Sequence, residues 1–177
     1  MPFFSTPHID LIHEHIDTPR CFLLPFSVDG RVDIRELAEE FCKANKDHYV
    51  SDFHPTYEEE IDFVLSIVEG MKRGELFENF IFDRESLKFI GCAGLNKPEP
   101  NTMNIGIWIC TDEQGKGYAT EAYDAIMYWA RANTKYQYLK HYLDPRNDAS
   151  RKLALKFAGI KQDYSNERGD EFYHIPL

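Results

Sequence analysis

Twenty residues, Asn104 to Tyr123 (NIGIWICTDEQGKGYATEAY), restrict the fold more than any other stretch of this chain. Ile105, Ile107 and Ile109 alternate with Gly106, Trp108 and Cys110, which is the period of a strand with two different faces. Gln114, Gly115, Lys116 and Gly117 interrupt it, and from Tyr118 the residues Ala119, Ala122, Ile126 and Trp129 recur at helical spacing. The stretch is predicted as strand, glycine turn, helix. The first N–H groups of a helix lack internal partners, and its aligned dipoles place about half a positive charge there. Two glycines remove the Cβ atoms that would keep a phosphate away, so backbone N–H groups can wrap around it. The turn reads either as a pyrophosphate cradle or as a plain link between strand and helix.

Two kinds of cradle fail on what is missing. A nucleoside-triphosphatase loop needs a lysine and then Ser or Thr after its last glycine, whereas Tyr118 and Ala119 follow Gly117. A dinucleotide fingerprint needs three glycines and an acidic strand end about twenty residues on. The spacing here supplies two glycines and an alanine, and no such acid. The residues instead resemble the acetyl-CoA signature of the GNAT acetyltransferases, Q/R-x-x-G-x-G/A, met by Gln114, Gly117 and Ala119. The continuation Thr120, Glu121, Ala122 and the later Asn147-x-x-Ser150 resemble the RimJ/RimL branch, the amino-terminal acetyltransferases of ribosomal proteins and their relatives. The resemblance covers about residues 17 to 177. It implies acetyl-CoA as acyl donor, no metal, and cofactor contacts from Ile109, Cys110, Thr111, Gln114, Gly115, Lys116, Gly117, Tyr118, Ala119, Thr120, Asn147 and Ser150.

Size and composition agree with one packed domain over residues 17 to 177 behind a lead-in segment, 1 to 16. A chain of 177 residues buries about 70% of its unfolded surface without needing a disulfide or metal staple. The net charge of −10 is spread along the chain, which argues against a nucleic-acid surface and for a soluble protein with a basic or amine-bearing partner. Cys21, Cys42, Cys92 and Cys110 stand apart with no C-x-x-C pair, as expected of reduced thiols in the cytoplasm. No apolar run suits a membrane span and no signal pattern opens the chain. His8, His13 and His15 share no helical face and have no fixed acidic or cysteine partner, so residues 1 to 16 read as a solvated segment rather than a metal site. Monomer and homodimer both stay open.

Along the chain, CFLLPF after Arg20 reads as a first strand. Asp33 with Glu36, and Thr56 with Glu59, form capping-box patterns ahead of two helices, the first to about Ala44 and the second closing before Gly74. The acidic run Glu58 to Glu60 then complements a helix dipole. Glu78 to Phe82, Leu87 to Leu95 and residues 104 to 110 make an antiparallel meander, with a loop at Pro98, Pro100 and Asn101. Helix 118 to 132, strand 138 to 143, a short helix from about Asp148, and a hairpin of Ile160 to Tyr164 with Phe172 to Ile175 complete the order. The fold class is α/β of the α+β type: a mixed, mostly antiparallel twisted sheet with a central parallel pair and flanking helices. In GNAT proteins, which this resembles, that pair splays at its carboxyl ends and the pantetheine arm enters the gap.

The reaction so implied is direct attack of an amine on a thioester, without a covalent enzyme intermediate. It needs a proton acceptor, an oxyanion donor and a donor to the departing thiolate. Glu78 is the expected base, because it shares a strand face with Phe80 and Phe82, where its pKa would rise; Asp52 and His54 are reserves. Backbone N–H near Ile109 or Cys110 is expected at the oxyanion and Ser150 at the thiolate. Other GNAT branches place a tyrosine where Ala154 stands here. His48, Tyr49, Asp52 and His54 in the loop between the first two helices, and Trp108, are candidates to contact the acceptor. The acceptor is a protein N-terminal amine; a small amine such as a polyamine or aminoglycoside, or a non-catalytic acyl-CoA-binding module, is the alternative.

Overall fold

The computed structural model describes residues 10–45 and 56–177. Strands β1 (Ile16–Asp17), β2 (Cys21–Pro25), β3 (Phe77–Asp83), β4 (Phe89–Glu99) and β5 (Thr102–Ile109) pair antiparallel in chain order. Helices α1 (Ile34–Asn45) and α2 (Tyr57–Lys72) lie between β2 and β3, and α3 (Tyr118–Asn133) leads from β5 to β6 (Tyr138–Leu143). After α4 (Asp148–Lys156) the hairpin of β7 (Ile160–Ser165) and β8 (Glu171–Pro176) completes one sheet of order β1-β2-β3-β4-β5-β6-β8-β7. Among the described residues no helix is long and apolar enough to cross a membrane.

Two faces with different chemistry follow from the strand alternation. On one, Phe77 stacks on Trp129 of α3 at 4.2 Å between ring centroids, and Ile81, Leu95, Ile105 and Tyr123 are at most 2% exposed. Burial of each such side chain contributes about 1.5–3 kcal/mol. On the other, Phe80 stacks on Phe26 at 4.3 Å, and Trp108 meets Phe41 of α1 edge to face at 5.5 Å. The Thr56–Glu59 capping box forms in full, while Asp33 caps α1 by accepting from the Arg35 N–H at 2.9 Å. Glu60, the last of the acids that open α2, is 6% exposed, and burial raises its pKa.

Two boundaries differ from expectation. Leu11, inside the stretch expected to be solvated, is 2% exposed and joins the core, and Ile16–Asp17 adds a short edge strand. Leu11 and Ile12, set between histidines and acids, are too short an apolar run to carry a helix or strand period. The expected loop at Pro98 is strand: β4 runs to Glu99 and turns at once into β5. Its register shifts between Asn96 and Glu99, and Lys97 takes a φ of +46°. A bulge there leaves Pro98, which has no N–H, without a ladder partner to satisfy.

The parallel pair is joined by one register contact, Asn104 to Lys140. Beyond it β5 continues to Ile109 bonded to β4 alone, so the sheet opens between β5 and β6 toward their carboxyl ends. The β4 side of this opening is packed tightly: a Cβ at Gly91 would stand 2.3 Å from the Trp108 carbonyl oxygen and 2.9 Å from Ile109 Cα. Gly91→Ala is expected to destabilise the fold by about 1–3 kcal/mol, read as a lower midpoint in denaturant unfolding.

Candidate active site

At the mouth of this opening, α3 starts with no side chain capping it. Gly117 occupies the N-cap at φ +88° and Gly115 precedes it at φ +74°, conformations that favour glycine. Nothing lies within 4 Å of where a Gly115 Cβ would stand, and a Gly117 Cβ would meet only Arg20 Nη2, at 3.3 Å. The glycine turn before α3 is thus open where side chains would stand and has a guanidinium beside it, and the helix start has no side-chain cap, an arrangement that fits a diphosphate. Gln114 anchors the turn by donating from Nε2 to the Ile109 carbonyl at 3.0 Å. Glu121 fixes the first helical turn, accepting from Thr18 Oγ1 (2.6 Å), the Arg20 N–H (2.7 Å) and Arg20 Nε (2.7 Å). Burial would raise its pKa, but these donors hold it below the usual value. The Arg20 guanidinium also lies 4.7 Å over the Tyr118 ring, whose hydroxyl donates to Asp83 at 2.6 Å.

Of the two amides expected at an oxyanion, one is excluded. The Cys110 N–H donates to the Ile90 carbonyl at 2.9 Å, and burial pushes its thiol up to about 12. Ile109 stands opposite Gly91 in the antiparallel ladder, so the same alternation turns the Ile109 N–H away from β4 and into the opening. Ile107 shares that orientation. Those amides project where β6 has already diverged.

Ser150 sits in the first turn of α4, at the carboxyl end of β6. Asn147 caps that helix, its Oδ1 accepting from the Ser150 N–H at 2.9 Å. The Ser150 hydroxyl lies 2.7 Å from His141 Nε2, and His141 Nδ1 lies 3.0 Å from the Tyr123 hydroxyl. His141 is 3% exposed, and burial lowers its pKa to about 4, so the ring is neutral near pH 7. Tyr123 is fully buried with His141 as the partner of its hydroxyl. If it accepted this bond, its own O–H would be left buried and unpaired at a cost of about 1–3 kcal/mol. It therefore donates to Nδ1, the ring proton sits on Nε2 and is donated to Ser150 Oγ, and the Ser150 hydrogen stays free for another acceptor.

Glu78 stands on the opposite sheet face, at the head of a cross-strand row that continues through Gly94 to Gly106. Its carboxylate lies over Gly94, where a Cβ would fall 2.4 Å from Oε2. Above Gly106 a Cβ would meet only Asn96 Nδ2, at 3.7 Å. Two glycines thus form a trough from Glu78 to the opened edge of β5. Trp108, half-buried, lies on one flank, and Asn96 and Asn104 lie on the other. Burial pushes the Glu78 carboxyl up to about 7, opposed by the 2.6 Å hydrogen bond from Asn96 Nδ2.

The structure thus brings Gln114 to Thr120 and Ile109 to one end of the opening, with Asn147 and Ser150 at the end of its other strand and Glu78 and Trp108 along the trough. Thr111 falls in a short 3-10 turn after β5, and Lys116 pairs with Glu113 at 2.8 Å. His48, Tyr49, Asp52 and His54 lie outside the described residues. Arg20, His141, Tyr123 and the glycine row were missed, because each acts through a partner distant in sequence.

Residues 20–159 match the family model for the acetyltransferase (GNAT) domain. No curated protein matches the chain. Among solved structures it is similar to an acetyltransferase from Agrobacterium tumefaciens, at 17% identity and TM-score 0.76 over 98% of this chain and 100% of that one. It is similar to RimL, a ribosomal alpha-N-protein acetyltransferase solved with coenzyme A, at 17% identity and TM-score 0.78 over 93% and 98%. A Salmonella typhimurium acetyl transferase, described as modifying the N-terminal serine of a 50S ribosomal subunit protein, aligns at 18% identity and TM-score 0.77 over 93% and 99%. At such identities the likeness is one of fold, and the family match carries the rest: an opened parallel pair with a glycine-turned helix start belongs here to a member of the GNAT acetyltransferase family, and the chain is an acyltransferase.

Proposed function

We propose that this chain moves the acetyl group of acetyl-CoA to the N-terminal amine of a protein by direct attack. The observation that carries the reading is the glycine-floored row from Glu78 into the opening between β5 and β6. Bound there, acetyl-CoA supplies the activated acyl group. The amides of Gly115 to Thr120 would hold its diphosphate and Ile107 would pair with its arm. The Ile109 N–H would face the carbonyl oxygen, and the free hydrogen of Ser150 would be donated to the departing sulfur. Glu78 would take the proton of the acceptor ammonium across Gly106.

Proton matching supports an α-amine over a lysine. With the Glu78 carboxyl up at about 7, an α-amino group at about 7.7 to 8 lies within about a unit of it, whereas a lysine at about 10.4 would lose its proton uphill by more than three. The described activities of RimL and the Salmonella enzyme favour the same acceptor. The four cysteines are free thiols, consistent with the cytoplasm.

Gly117→Asp adds bulk and negative charge at the cradle and is expected to abolish acetyl-CoA binding; unchanged affinity by calorimetry counts against the cradle. Ser150→Ala should lower kcat by about 100-fold or more with cofactor affinity retained, and an unchanged rate removes that role. Because the base must be ionised, kcat/KM should fall as pH drops below about 7. Glu78→Gln should lose that limb and most of the rate, whereas a profile unaltered by the substitution rejects Glu78. Mass spectrometry of protein N-termini after incubating a lysate with the enzyme and labelled acetyl-CoA tests the acceptor directly.

A further inference from the structure

A cleft of about 340 Å³ opens on the Glu78 face of the sheet, lined among others by Lys97, Asn104, Tyr142 and Phe172. By simple strand alternation Lys97, the neighbour of Asn96, would point to the α3 face. The bulge and its φ of +46° bring it instead into the cleft with Asn104, the register partner of Asn96. Left-handed backbone at a lysine is a strained choice, and its effect here is to aim a cation.

The charges in the cleft are unequally matched. Lys140 pairs with Glu99, and Arg168 pairs with Asp170 at 2.6 Å. Lys97 forms no ion pair among the described residues. Tyr142 steadies it, with its hydroxyl 3.0 Å and its ring centroid 5.0 Å from Nζ. Asn104 is 3% exposed, and its Oδ1 has no hydrogen-bond partner among the described residues. A buried amide oxygen left unpaired at the wall of a cleft is costly unless a ligand's N–H completes it. In a chain of net charge −10, an unmatched cation beside an unsatisfied acceptor marks a place for a ligand that offers both an anion and an N–H.

We propose that this cleft binds a carboxylate on the acceptor, with Lys97 as its cation and Asn104 Oδ1 accepting from an N–H of the acceptor. This rests on the reading of Glu78 as the group that meets the amine. Asn96 donates to Glu78 at 2.6 Å and directly precedes Lys97, so amine and carboxylate would lie a side chain apart on one sheet face. The acceptor class is then an amine with a nearby acid: a protein N-terminus with Asp or Glu in its first two residues, or a free acidic amino acid.

The test compares kcat/KM for short peptides that begin Ser-Asp, Ser-Asn or Ser-Lys and for free aspartate and glutamate, using wild type and Lys97→Glu. Binding of each to the coenzyme A complex is measured by calorimetry. The Ser-Asp peptide should exceed Ser-Asn by about tenfold, mainly through KM, and Lys97→Glu should reverse the order in favour of Ser-Lys while leaving coenzyme A affinity unchanged. Preference for free aspartate or glutamate over every peptide, lost in Lys97→Glu, supports the cleft and assigns it to a small molecule. Where the free acids are not preferred, equal kcat/KM for the three peptides, or an order unmoved by Lys97→Glu, overturns the cleft and leaves the acetyltransfer reading standing; a preference for the free acids unmoved by Lys97→Glu overturns it likewise. Should no amine be acetylated, that reading fails, and the cleft is decided by calorimetry alone: weaker binding of Ser-Asp to Lys97→Glu supports it, and equal or absent binding overturns it.

Discussion

Everything at the site depends on a sheet that stops pairing. After Asn104 meets Lys140, β5 keeps its bonds to β4 and loses those to β6, so the amides of Ile107 and Ile109 are left without strand partners. Buried N–H and C=O groups are normally satisfied, and leaving several open along a central strand is worthwhile only where something else completes them. The glycine turn and α3 begin at the end of that opened strand, and α4 begins at the end of the strand that diverged from it. Both helix starts therefore lie at the end toward which the gap widens.

The two sheet faces divide the chemistry between them. Toward α3 and α4 lie the cradle and the buried chain from Tyr123 through His141 to Ser150, in which the Tyr123 hydroxyl, paired to His141 Nδ1, decides the tautomer and so the direction of every proton. Toward α1 and α2 lie Glu78, Trp108 and the asparagines. A carboxylate raised to about 7 by burial and a hydroxyl oriented by a neutral imidazole are complementary parts. One is suited to accept a proton and the other to give one, from opposite sides of a single opening.

Much of this is legible in the sequence. The strand, turn and helix around Gly115 and Gly117 follow from periodicity and punctuation, because local geometry alone demands them there. Strand 138 to 143 was legible in the same way. Glu78 is marked as a candidate by its aromatic neighbours on one strand face, a period-of-two argument that needs no partner strand. What stayed hidden is what arises between strands. Gly94 and Gly106 become a floor only through the register of three strands, and Lys97 faces the cleft only through a bulge whose outward sign, Pro98, reads equally well as a loop. His141, alternating with leucines on β6, gives no hint of a hydroxyl on either side.

A strand edge usually belongs at the margin of a sheet, where proteins blunt it against unwanted pairing. Here part of one lies in the middle, between β5 and β6. A ligand that hydrogen-bonds along it would serve as a missing piece of secondary structure, closing the sheet as well as delivering a reactive group. Occupancy and folding then draw on the same hydrogen bonds, so the resistance of this protein to unfolding is tied by mass action to how much of that ligand surrounds it.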